Sequence, residues 1–160
     1  MTDTTDTVYL DLKYGRVAIK LRPDLAPKHI ARIKELIQKG YYDGLKFHRV
    51  IEGFMAQTGC PNGTGTGGSG QKLKAEFTDE PFVRGTLGMA RSMNPDSGDS
   101  QFFITFGPTP HLDGEYTVWG QVVDGMEHVD KIALGEPPRE PDTIIKFSLA
   151  SNTKKQRKKS

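Results

Sequence analysis

Cysteine and tryptophan are nearly missing from this chain of 160 residues, which has one of each, Cys60 and Trp119. A single cysteine closes no internal disulfide and makes no C-x-x-C zinc or redox pair. No apolar run approaches the length of about 18 residues that a membrane helix needs, and the mean hydropathy is −0.54. The opening MTDTTDT carries neither the basic start nor the apolar stretch of a secretory signal, which predicts a cytoplasmic protein. H-E-x-x-H and G-x-S-x-G are also absent, so the sequence marks neither a zinc helix nor a hydrolase nucleophile.

Charge of one sign is missing from the body as well. The formal net charge is +2, but Lys154, Lys155, Arg157, Lys158 and Lys159 supply five of the 22 basic residues; the remainder holds 17 against 20 acidic ones, a net of −3. A basic nucleic-acid-binding face is therefore not expected on the folded part. The KKQRKK tail reads as a solvated, disordered terminus that can touch phosphates only weakly. What the chain has in excess is glycine, 18 residues, with 10 prolines and a modest 35% of hydrophobic residues. That balance suits one strand-rich domain with many turns. The expected division is a flexible segment over 1–6, a domain over 7–150 and the basic tail over 151–160.

Hydrophobic spacing predicts the elements. Val8, Leu10 and Leu12, then Val17, Ile19 and Leu21, alternate on either side of a Lys13-Tyr14-Gly15 turn, as a hairpin requires. Pro27 to Lys39 reads as a helix, with proline at its start, Ile30, Ile33 and Ile37 on one face and Gly40 as a stop. A second, shorter helix is expected over Met126–Ile132. Short β-prone runs lie at Lys46–Ile51, Thr86–Ala90, Gln101–Phe106, Thr117–Val123 and Thr143–Leu149, which together predict an antiparallel barrel or sandwich.

The chemistry is narrowed by elimination. Gly63, Gly65 and Gly68 satisfy G-x-G-x-x-G, but QKLKAEF after them is too short and polar for the helix a dinucleotide site needs. Cys60 has no basic neighbours to lower its pKa. His29, His48, His111 and His128 are scattered without ligand spacing, so no metal site is expected. What remains is a set of apolar and neutral polar side chains with arginine: Phe47-His48-Arg49, Gly53-Phe54-Met55-Ala56-Gln57, Met89-Ala90-Arg91, Gln101-Phe102-Phe103 and His111-Leu112-Asp113-Gly114. Such residues build an apolar pocket with a polar rim. They equally well build a barrel interior, where every second residue of a strand points inward. Spacing alone does not separate the two.

FHRVIEGFMAQTG, GTLGMARSMNPDSGDSQFFIT and HLDGEYTVWGQVVDGMEHVDKI resemble the cyclophilins, a family of peptidyl-prolyl cis–trans isomerases. The resemblance runs from Tyr9 to Leu149 with the landmarks in family order, and the chain looks like the single-domain bacterial or archaeal-style cytosolic forms. It implies a mainly β fold, a closed eight-stranded antiparallel β-barrel capped by two α-helices, with a groove on its outer surface. It implies a cofactor-independent enzyme in which Arg49 is the catalytic cation. Phe54, Met55, Phe103 and Leu112 would line a proline pocket, and Gln57, Arg91 and Gln101, with main-chain groups near Ala90, would hold the substrate backbone. The implied partners are proline-containing peptides and unfolded proteins, bound by a monomer that assists folding.

Three positions depart from the common family pattern. His111 stands where many members have tryptophan, which implies weak binding of cyclosporin A. Tyr116 replaces a frequent histidine, and Arg91 replaces a frequent asparagine, adding a charge to the groove rim where acidic substrate residues would be favoured. The rival reading is a non-catalytic module that captures proline-containing segments, with the tail reaching RNA or an acidic partner. Arg49 discriminates between them, because a binder can dispense with its guanidinium.

Overall fold

The structure, a computed structural model, describes residues 6–63 and 67–150. The basic tail, the first five residues and Gly65 of the glycine-rich loop lie outside the described residues.

The predicted hairpin forms as β1, Thr7–Leu12, and β2, Gly15–Leu21, in antiparallel register with Leu12 opposite Gly15. Only Lys13 and Tyr14 make the turn. Gly15 is obligatory here: its φ is +145°, and a Cβ would lie 2.4 Å from Nε2 of His128. The helix α1 spans Pro27–Gln38 with proline in its first turn and His29, Ile30, Ile33, Leu36 and Ile37 buried. Its start lacks a side chain of its own to cap it. Glu76, far along the chain, accepts instead from the backbone N–H of Lys28 (3.2 Å) and His29 (2.8 Å), which satisfies donors that a helix start leaves open.

Six further strands follow: β3 (Arg49–Ile51), β4 (Met55–Thr58), β5 (Thr86–Met89), β6 (Phe102–Thr105), β7 (Val118–Asp124) and β8 (Lys146–Leu149). β4 belongs to none of the runs expected from the sequence. The second helix, α2, is a single turn, Met126–Val129, shorter than expected; Lys131 and Ile132 continue it only through the turn bonds Lys131 N–H to His128 O and Ile132 N–H to Val129 O. α1 leaves the end of β2, whereas α2 sits beside its start, where Gly125 packs on Arg16.

All neighbours in the sheet are antiparallel, in the order β3-β4-β6-β5-β7-β2-β1-β8. The eight strands curl into a barrel, but closure is looser than expected. No ladder joins β3 to β8; single bridges, Lys46 to Thr143 and Val50 to Gly135, span the gap. Pro137, Pro138 and Pro141, which have no N–H, interrupt the segment that faces β3 and limit the pairing there.

Two apolar clusters decide between the barrel-interior and pocket readings. The large one fills the barrel with Val8, Leu10, Ile19, Ala56, Leu87, Phe102, Ile104, Trp119 and Phe147 among others. Its aromatic centre has Phe102 edge-on to Tyr42 and Trp119, at centroid distances of 5.4 and 5.3 Å. The small one, Met55, Phe82, Phe103, Leu112 and Val118, lies on the opposite face of the same strands. Side chains alternate across a strand, so Phe102 enters the interior and Phe103 the outer cluster.

Candidate active site

The site is built on the outer face of β3, β4, β6 and β5. Register pairs Arg49 with Gln57, Gln57 with Phe103, and Phe103 with Gly88. A guanidinium, an amide and a phenyl ring thus stand in one cross-strand row. Gly88 ends the row because nothing larger fits: a Cβ there would lie 2.6 Å from Phe103 Cζ and 2.7 Å from Phe82 Cε2. The two rings stack at 5.7 Å with 22° between their planes, and Tyr116 meets Phe103 edge-on at 5.6 Å.

The far wall comes from the 3-10 turn Pro110–Leu112, which delivers buried Leu112. Asp113 fixes this turn against the floor, its carboxylate accepting from the Phe82 N–H at 2.8 Å, while Thr109 N–H donates to Phe82 O at 3.0 Å. Between these parts is a pocket of about 110 Å³ lined by Arg49, Phe54, Met55, Gln57, Ala90, Arg91, Phe103, Leu112 and Tyr116. A cavity near 150 Å³ accommodates benzene, so this one is sized for a single small ring.

A second cavity, about 310 Å³, adjoins the first and shares Gln57, Ala90 and Arg91 with it; Gly67, Gly68, Lys72, Ser97, Asp99 and Gln101 complete most of its wall. The amides tie the two together: Gln57 Nε2 donates to Gln101 Oε1 at 2.9 Å, and Gln101 Nε2 donates to Gly67 O at 3.0 Å. Asp99 holds the glycine-rich loop to this wall by accepting from Ser69 N–H (2.6 Å), Ser69 Oγ (2.5 Å) and Gly70 N–H (3.1 Å). Behind it, burial lowers the pKa of His48, against the opposing hydrogen bonds to Lys46 O and the Gln101 side chain. His48 is 7% exposed, and among the described residues its Nδ1 has no hydrogen-bond partner.

Among the described residues no cluster of three His, Cys, Asp or Glu is arranged to hold a metal ion, and no helix is long and apolar enough to cross a membrane. Over residues 7–149 the chain matches the model of the family described as cyclophilin type peptidyl-prolyl cis-trans isomerase/CLD. The chain belongs to this family. It is 54% identical to a probable peptidyl-prolyl cis-trans isomerase of Brucella suis, covering 95% of this chain and 86% of that one. It is 44% identical to peptidyl-prolyl cis-trans isomerase B of Bacillus subtilis over 84% and 95% of the two chains. Among solved structures, a Cryptosporidium parvum cyclophilin type isomerase, crystallised in the presence of the dipeptide Ala-Pro, superposes with a TM-score of 0.84 at 31% identity, covering 89% and 98%. Cyclophilin AquaCyp293 of Hirschia baltica gives 0.87 at 27% identity over 94% and 76%.

Within the cyclophilin fold, nine of the eleven residues predicted from the sequence line the smaller pocket. Gln101 lies instead on the adjoining cavity. His111 is exposed at the rim, its ring 5.4 Å from that of Phe54. Ala90 spends its N–H on Gln101 O at 2.9 Å, so that donor is not on offer to a ligand. Arg91 is less available than the sequence suggests. Nε and Nη2 donate to Glu115 O at 3.1 and 2.6 Å, Nη1 donates to Ser92 O at 2.9 Å, and the guanidinium lies 4.4 Å from the Tyr116 ring centre. It braces a pocket wall as well as charging the rim. Sequence reasoning missed Phe82, Gly88 and the bracing role of Asp113; Leu-Asp-Gly was visible as a landmark, but its partner Phe82 is 31 residues away.

Proposed function

We propose that the chain catalyses rotation about Xaa-Pro peptide bonds in cytosolic polypeptides, with Arg49 as the catalytic residue and residues 7–150 as one isomerase domain. The observation that carries this reading is a small pocket in which the Arg49 guanidinium shares the lining with Phe54, Met55, Phe103 and Leu112.

The barrier to rotation is about 20 kcal/mol because the amide nitrogen shares its lone pair with the carbonyl. Nothing is cut, so neither a nucleophile nor a base is needed. In the twisted state the prolyl nitrogen becomes pyramidal and regains a lone pair, which an arginine N–H can meet with a hydrogen bond. The planar ground state offers no such acceptor, so this donor stabilises the transition state selectively. A hydrogen bond to a charged donor is worth about 1.5–3 kcal/mol, or roughly ten- to more than a hundredfold in rate. Phe54, Met55, Phe103 and Leu112 hold the ring while the preceding carbonyl swings. Gln57 and Gln101, bonded to each other, border the path of the substrate backbone, and His111 and Tyr116 flank it. Proline selectivity follows, since other residues rarely populate cis at all. Exposed His111, standing where many members have the larger tryptophan ring, fits weak rather than tight cyclosporin A binding, and the monomer is the working unit in this reading.

The test is a protein whose refolding is limited by an Xaa-Pro bond. Catalytic amounts of this chain should accelerate the slow phase, which otherwise takes tens to hundreds of seconds, and should do so without cofactor. A slow phase unchanged at equimolar enzyme contradicts the reading.

A further inference from the structure

Glu136 sits on a loop that the proposed mechanism does not use, yet its carboxylate accepts from Arg49 Nε at 3.1 Å. Among the described residues this is the one hydrogen bond recorded for the Arg49 side chain. The placement is built into the backbone. Val50 and Gly135 form a two-bond bridge, N–H to O at 2.8 Å in one direction and 2.9 Å in the other. In that antiparallel register the residue before Val50 faces the residue after Gly135, so Arg49 stands directly opposite Glu136, the spacing at which cross-strand side chains meet. Gly135 cannot be replaced without disturbing the bridge: its φ is +142°, and a Cβ would lie 2.6 Å from Pro138 Cα.

A guanidinium is a rigid plane with one N–H on Nε and four on the terminal nitrogens. Holding Nε fixes the plane and leaves the terminal N–H groups for the pocket that Arg49 lines. Both partners are partly exposed, 44% for Arg49 and 57% for Glu136, so the pair contributes little to global stability. Its effect is therefore expected in orientation, where a small misplacement of a catalytic group is felt strongly. We infer that Glu136 is a positioning residue for catalysis, which orients the Arg49 guanidinium from the loop between α2 and β8. This inference rests on the catalytic role proposed for Arg49.

The test measures kcat and KM on an Xaa-Pro peptide for Glu136→Ala, Glu136→Gln and Arg49→Ala, singly and in combination, with the side-chain Nε–Hε NMR signal of Arg49 as an independent readout. Glu136→Ala should lower kcat roughly three- to fivefold, the scale of an exposed pair, with KM and Tm nearly unchanged and the Arg49 signal shifted. Glu136→Gln, which keeps an acceptor without charge, should recover most of kcat. Adding Glu136→Ala to Arg49→Ala should cost nothing more. A wild-type kcat in Glu136→Ala, a loss confined to KM, or a full further loss on the Arg49→Ala background overturns the inference. If Arg49→Ala itself keeps wild-type exchange, the functional reading fails first, and the two failures are distinguishable.

Discussion

Replacing Gly88 by alanine places one methyl group between two rings that form the pocket floor. The new Cβ would lie 2.6 Å from Phe103 Cζ and 2.7 Å from Phe82 Cε2. Ordinary carbon–carbon contact begins near 3.5 Å, so Phe103 must retreat by about 0.9 Å and Phe82 by about 0.8 Å. Phe82 is 1% exposed and Phe103 4%, so neither has free space behind it except the pocket itself, onto which Phe103 faces. Overpacking of this kind costs about 1–3 kcal/mol, partly offset by about 0.4–1 kcal/mol from the stiffer unfolded chain. The net loss should lower Tm by a few degrees, at roughly 2–4 °C per kcal/mol for a chain of this size. The loss in kcat/KM should be larger, roughly ten- to a hundredfold, because a displacement near 1 Å enters the site directly. The assays are thermal unfolding and peptide isomerisation on the same preparation. Adding Phe82→Leu, which gives the ring somewhere to go, should restore part of the activity. A folded Gly88→Ala protein with wild-type kcat/KM refutes the argument that Phe103 forms the floor.

Three further outcomes follow from the same geometry. Burial lowers the pKa of His29, against the opposing bond to Glu76, and lowers that of His48, so the folded state sheds protons that the unfolded chain still holds near the ordinary value of 6.5. Stability should be complete above about pH 6.5 and fall as the pH drops through the depressed folded values; a urea midpoint at pH 5 equal to or above that at pH 8 contradicts this. Cyclosporin A should inhibit weakly, and His111→Trp, which enlarges the rim ring beside Phe54, should tighten inhibition in a titration; nanomolar inhibition of the wild type refutes it. Arg91 keeps its charge on the rim although three of its N–H groups donate within the protein, so a peptide panel should show only a modest preference for acidic residues, several-fold at most for an exposed pair, that Arg91→Asn abolishes. A panel with no acidic preference contradicts it.

How much of this was legible in advance depended on the range of the interactions. The hairpin and α1 are local: alternation over Thr7–Leu21 and the Ile30, Ile33, Ile37 face carry their own signal. β4 was not legible, because Met55–Thr58 is four residues long, too short for a pattern, and its outer Met55 and Gln57 belong to the site rather than to a solvent face. Adjacent Phe102 and Phe103 could not be assigned to separate clusters without the register that puts one inside the barrel and one outside. The residue types of the site were legible through the resemblance, and most of them meet in one pocket. Their supports were not, since Asp113 to Phe82, Arg49 to Glu136 and His29 to Glu76 join positions 31, 87 and 47 residues apart. Looser closure of the barrel has the same origin, for it depends on single bridges between distant segments.

The central claim is that Arg49 stabilises a twisted prolyl amide rather than simply binding the peptide. Exchange-broadened NMR lines of an Ala-Ala-Xaa-Pro-Phe peptide give both the isomerisation rate on the enzyme and the dissociation constant, for wild type and Arg49→Ala side by side. The account predicts that Arg49→Ala keeps peptide affinity within a few-fold and loses on-enzyme exchange by roughly a hundredfold. An Arg49→Ala protein that binds the peptide and isomerises it at the wild-type rate would contradict it.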